Sequence, residues 1–177
     1  MENRIQHSKF NIQNSGVSLL ELLIYIAILS GLMVIVSDAF IALSKGRGQS
    51  EARSEVNSAI RFAADVISRD VKNASAVSAP ALGAPGSALT LTVGADTVYY
   101  DMLNGVLRRK VGVAGTPEAV TGNFVTVDAP TFTRFENYNG VLNATTTAVQ
   151  VVMTMRYNSS STDWVYSDTL RTTATLR

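Results

Sequence analysis

The run from Val17 to Val36, VSLLELLIYIAILSGLMVIV, constrains this chain more than any other feature. Of its 20 residues only Ser18, Glu21, Ser30 and Gly31 are not apolar. About 20 apolar residues in a helix, at roughly 1.5 Å rise each, match the thickness of a bilayer's hydrocarbon core. The run therefore predicts a membrane-spanning helix. Two other readings have to be weighed. One is a buried helix of a soluble domain. The other is a secretory signal, for which Ser37-Asp38-Ala39 offers a small-x-small site that would leave Phe40 as the first residue. Against the signal, the run exceeds the usual ~7–15 residues and has a carboxylate inside it.

That carboxylate, Glu21, is the informative residue. A charge in a bilayer helix costs roughly 2.5–3.5 kcal/mol at the centre and less near the interface. Nothing else between Val17 and Ser37 is charged. The carboxylate must either reach water at the interface or find an ionic partner outside its own segment. A cut between Gly16 and Val17 would supply one, because it creates a cationic amine four residues from Glu21. In a bundle of such helices, Glu21 of one subunit could pair with the Val17 amine of a neighbour. Such a pair would set the axial register, a well-attested use of buried polar groups.

The flanks leave the orientation open. Residues 1–16, MENRIQHSKFNIQNSG, are polar and carry Arg4 and Lys9, whereas Lys45, Arg47 and Arg53 follow the run. Counting Lys and Arg alone, the positive-inside rule leans by one residue toward an N-terminus outside. Asp38, Glu51 and Glu55 add opposing charge to the second flank.

Composition closes several functional classes. The chain has no Cys, and its one His, His7, lies before the proposed cut. A chain starting at Val17 would lack the groups for Ser-His-Asp or Cys-His catalysis and for the usual zinc or copper sites. No catalytic residue, metal ligand or cofactor site is expected. A net charge of +1 argues against a protein built to bind nucleic acid. Arg108-Arg109-Lys110 could touch a polyanion, but one short cluster in a neutral chain reads as a solvated strand.

After the apolar run, Lys45-Gly46-Arg47-Gly48 predicts a hinge or kink, since it places two glycines within three residues. Ser50 would then cap a second helix, with Glu51 in its first turn. Ala52, Val56, Ala59, Ile60, Ala63, Ile67, Val71 and Ala74 recur at steps of three and four, one face of an amphipathic helix ending near Asn73 or Ala74. Arg61, Asp65 and Arg69 form a polar stripe that reads as a solvated face. Pro80, Gly83, Pro85 and Gly86 close the helical part.

Beyond Ser87 the apolar period becomes two. Candidate strands are Leu89–Val93, Thr97–Tyr100, Val106–Val111, Phe124–Asp128, Thr131–Phe135, Val149–Tyr157 and Thr169–Leu176. Asn104-Gly105 is a strong hairpin signal. Asn139-Gly140 and Ser159-Ser160-Ser161 read as loops. Tyr157, Trp164 and Tyr166 are expected in the sheet core or at a subunit contact. The fold class is α+β, an antiparallel sheet packed on the second helix.

Gly16-Val17-Ser18-Leu19-Leu20-Glu21-Leu22-Leu23 resembles the type IV prepilin motif, in which a polar leader ends in Gly and a Glu follows five residues later in an apolar run. Val17 stands for the common Phe and Ser18 for the common Thr, and no Pro lies between Val17 and Pro80. A second, looser resemblance is to minor pilins and J- or W-type pseudopilins. It rests on Arg69-Asp70 and Asn73-Ala74 at the helix end, then Tyr99-Tyr100, Asn104-Gly105, Leu107-Arg108 and the closing Leu176-Arg177.

The resemblance implies a pilin fold with a leader (1–16), a transmembrane and assembly helix (17–44), an amphipathic helix (45–78) and a sheet domain (79–177). It implies peptidase cleavage after Gly16, N-methylation of Val17, and Glu21 as the assembly carboxylate. The implied partners are other pilin or pseudopilin subunits, the prepilin peptidase and methyltransferase, and an inner-membrane assembly platform. The implied location is the inner membrane, N-terminus in the cytoplasm, and then a periplasmic or extracellular filament. The expected function is a non-enzymatic filament subunit. The rivals are a major pilin, a membrane-tethered receptor for DNA or a secretion substrate, and an anchored carboxylate-based hydrolase.

Overall fold

The computed structural model describes residues 18–177 and shows an α+β protein. Contacts divide it into two units that meet in the chain at Leu43 and Ser44. One helix, α1 (Leu19–Asn73, 55 residues), runs through both.

In the first unit every residue from Ser18 to Leu43 is exposed. Seventeen of the exposed side chains between Leu19 and Leu43 are large and apolar. At about 1.5–3 kcal/mol each, keeping them in water rather than in an apolar medium would cost roughly 25–50 kcal/mol. This half of α1 is long and apolar enough to cross a membrane.

The second unit comprises Ser44–Asn73 of α1 and nine strands. These are β1 (Ala76–Ala79), β2 (Pro85–Gly86), β3 (Leu89–Val93), β4 (Asp96–Leu103), β5 (Val106–Val111), β6 (Glu118–Ala119), β7 (Val125–Asn139), β8 (Ala144–Tyr157) and β9 (Ser167–Thr175). They form two antiparallel sheets rather than one, ordered β1-β3-β4-β5-β6 and β2-β7-β8-β9. A single core joins α1 to both: Val56, Ile60, Ile67 and Val71 from the helix, Leu89, Leu91 and Tyr100 from the first sheet, Phe132, Val151 and Met153 from the second.

The expected hinge is absent. α1 continues through Lys45-Gly46-Arg47-Gly48, and Ser50 lies inside it instead of capping a new helix. The reason for glycine at position 48 is space. Gly48 is buried against Trp164, and a Cβ there would stand 2.6 Å from the ring's Cδ1 and nearer still to Nε1 and Cε2. No neighbouring side chain explains Gly46. The helix ends at Asn73, as the periodicity predicts, with Lys72 in its last turn facing the negative end of the dipole.

The strands expected at Phe124–Asp128 and Thr131–Phe135 are one strand, β7, carrying a bulge. Asp128 pairs with Thr154 and Thr131 with Val152, so three steps on β7 match two on β8. Pro130 sits in the extra space, where it needs no donor. The added residue shifts the phase, so the buried positions pass from Val125 and Val127 to Pro130 and Phe132. The Asn104-Gly105 turn forms as predicted. Both residues have positive φ, 53° and 76°, and Leu103 pairs with Val106 across it.

Candidate functional site

Gly16 and Val17 lie outside the described residues; Glu21 lies within them. It stands in the first turn of α1, exposed, where a carboxylate suits the positive end of the helix dipole. One turn on, the Tyr25 hydroxyl donates to Glu21 Oε1 at 3.3 Å. Tyr25 is a neutral partner within the segment, and a spacing of four places the two side chains on one helix face. A hydroxyl lowers the cost of burying the carboxylate and leaves its charge unbalanced. Two hydroxyls farther along are satisfied by α1 itself. Ser30 Oγ donates to the Ala27 carbonyl at 2.9 Å and Ser37 Oγ to that of Met33 at 2.8 Å. Such back-bonding lets hydroxyls sit in an apolar surround. Among the charged residues from Leu19 to Val36, Glu21 stands alone.

A second polar cluster lies at the far end of α1, inside the second unit. Asp70 falls between Ile67 and Val71 on the buried face and is only 7% exposed. Tyr100 of β4 is fully buried, and its hydroxyl donates to Asp70 Oδ2 at 2.5 Å. Arg109 of β5 is the cross-strand neighbour of Tyr100 and donates from Nε to Oδ2 at 2.7 Å and from Nη2 to Oδ1 at 3.3 Å. Burial, then the bond to Asp70, pushes the Tyr100 pKa up from its ordinary value near 10. The bond to Asp70 likewise raises that of Arg109. The cluster clamps the helix end to the first sheet. Removing one member of a buried pair typically costs about 3–5 kcal/mol. Its sequence signal was Asp70 itself, an acid three residues from Ile67 on the apolar stripe.

Arg108-Arg109-Lys110 is not the solvated run that was expected. Each cation meets its opposite number on β4. Arg108 forms a two-pronged bond with Asp101 at 2.9 and 2.6 Å, Arg109 meets Tyr100 and Asp70, and Lys110 lies 5.8 Å from the Tyr99 ring centre. Cross-strand pairing sets an acid or an aromatic ring beside each of these cations. Arg61, Asp65 and Arg69 are exposed, as a solvated stripe should be. Tyr157 and Tyr166 pack partly buried against the core, and Trp164 covers Gly48. Among the described residues no group of three or more His, Cys, Asp or Glu side chains is placed to hold a metal ion.

No known protein family, curated protein or solved structure matches this chain.

Proposed function

We propose that the chain is a structural subunit of a type IV pilus-like filament, of the minor pilin or pseudopilin kind, with no enzymatic activity of its own. The observation that carries the proposal is an apolar half-helix exposed on all sides with one carboxylate in its first turn. In a plain membrane anchor that carboxylate serves only the helix dipole and adds a cost where it meets the bilayer. An assembly helix gains from it, because the charge can select one register among many equivalent apolar ones.

The proposed sequence of events begins with the precursor held in the inner membrane by α1, its leader in the cytoplasm. Prepilin peptidase cuts after Gly16, exposing the Val17 amine, which is then methylated. With help from an inner-membrane platform, the helix leaves the bilayer and packs among the helices of other subunits. Glu21 pairs there with the Val17 amine of a neighbour. Burial between helices offsets the loss of lipid contact, and the ion pair fixes the axial step. The filament then stands in the periplasm or outside the cell.

Replacing Glu21 with Ala tests the assembly role. The variant should be cleaved normally and fail to enter filaments. Cleaved Glu21→Ala subunits found in sheared filaments at the wild-type level would refute the pairing.

A further inference from the structure

Between Ser44 and Asn73 one large apolar side chain of α1 is left exposed, Phe62 at 58%. It does not stand on open surface. With Val66 and Arg69 it forms the helix wall of a cavity of about 360 Å³ in the second unit. The strand wall is Glu118, Ala119 and Val120, in and just past β6. β6 is the edge of its sheet, so the cavity lies between a helix and a free strand edge.

That edge is open at one residue. The Val120 N–H donates to the Leu107 carbonyl, and Glu118 pairs with Arg109 along the same ladder. Alternate residues of an antiparallel strand turn their backbone groups to opposite sides. The N–H and C=O of Ala119 therefore point away from β5, to the free edge. Such a pair accepts one rung of an added strand, and the side chains beside it set which strand is taken.

Charge narrows the occupant. Asp70 and Arg109 also line the cavity, but they neutralise one another. Arg69 and Glu118 are exposed, and neither has an opposite charge within ion-pair distance among the described residues. The cavity thus holds an unpaired cation on its helix wall and an unpaired carboxylate on its strand wall, with Phe62, Val66 and Val120 as apolar surface. The end of a peptide carries the complement, because it sets a carboxylate, a backbone rung and a side chain close together.

We propose that this cavity binds the C-terminal end of an extended peptide from another protein. The peptide adds to β6 through Ala119, and its last side chain, an apolar one, lies on Phe62 and Val66. Its carboxylate meets Arg69, and a Lys or Arg earlier in the peptide meets Glu118. The inference goes beyond the filament proposal and does not depend on polymerisation.

The probes are fluorescein-labelled hexapeptides with a central Lys, ending in Val, Leu, Ile or Phe, each as free acid and as C-terminal amide. They are titrated with the full chain in mild detergent and read by fluorescence polarisation. At least one free acid should bind with a Kd below about 1 mM. Its amide should bind about tenfold more weakly, having lost a charged hydrogen bond. Arg69→Gln should lower the affinity for the acid to that for the amide and leave the amide unchanged. Arg69 is exposed and makes no ion pair within the described residues, so this substitution leaves the fold intact. Glu118→Gln should weaken the Lys peptide and not one with Gln in its place. In the complex, hydrogen exchange of the Ala119 amide, followed by nuclear magnetic resonance, should slow by about tenfold. Equal affinity for acid and amide, or an Arg69→Gln chain that still distinguishes them, would overturn the carboxylate contact. An Ala119 amide that exchanges as fast with bound peptide as without it would overturn strand addition. Binding of none of the peptides below about 1 mM would overturn the proposal as a whole.

Discussion

From Leu19 to Arg47 every residue of α1 is exposed, whereas between Gly48 and Val71 nine residues are buried against two sheets. The backbone is the same regular helix in both stretches. What differs is the arrangement of apolar side chains. In the first stretch they surround the helix and define no face. In the second they form a stripe, with Arg61, Asp65 and Arg69 opposite. A stripe needs one partner in one orientation, while an all-round apolar surface accepts any apolar surround, lipid or like helices. The difference separates the part that stabilises the fold from the part free to change environment. In the proposed filament, Glu21 is what gives the all-round apolar surface a preferred register.

The sharpest contrast is expected at the buried end. Asp70→Ala leaves Arg109 and the Tyr100 hydroxyl without their acceptor and should destabilise the second unit by about 3–5 kcal/mol. Denaturant titration of the full chain in mild detergent, followed by near-ultraviolet circular dichroism, measures it. A matched pair of apolar truncations tests the comparison directly. Ile67→Ala should cost about 2–5 kcal/mol in the same titration, and Leu29→Ala less than about 0.5 kcal/mol. Equal losses would mean that the two halves are not distinct.

A smaller effect concerns pH. The folded-state pKa of Tyr100 is raised, so above pH 10 an unfolded chain loses this proton while the folded one keeps it. Stability is then fully present below the unfolded pKa and falls as pH rises beyond it, by about 1.4 kcal/mol per pH unit for this one group. The alkaline slope should be shallower by that amount in Tyr100→Phe. An identical slope in the two proteins would show that Tyr100 is not what links folding to alkali.

Much of this architecture was legible in the chain because it depends on local pattern. The buried stripe from Ala52 to Val71, the end of α1, the Asn104-Gly105 hairpin and the strands Leu89–Val93 and Val106–Val111 all follow from period and turn chemistry. The misreadings have a common cause: long-range contacts that local pattern does not record. Gly48 looks like a hinge until Trp164, more than a hundred residues away, is laid against it. Phe124–Asp128 and Thr131–Phe135 look like two strands until β8 shows that the ladder passes Pro130 with one extra residue. Arg108-Arg109-Lys110 looks like a free basic run until β4 supplies a partner for each member. At the N-terminal site, Glu21 was conspicuous as the one charge in an apolar run. Tyr25 was not, because a tyrosine in such a run reads as apolar.

The central claim, that α1 becomes an assembly helix through a cut that gives Glu21 its partner, is tested most directly by the mass of the mature N-terminus. Intact-protein and N-terminal peptide mass spectrometry of the chain from native membranes or filaments should find it beginning at Val17 with a methylated amine. A mature chain beginning at Phe40, cut at Ser37-Asp38-Ala39, would remove Glu21 and most of the apolar half, and would contradict the account.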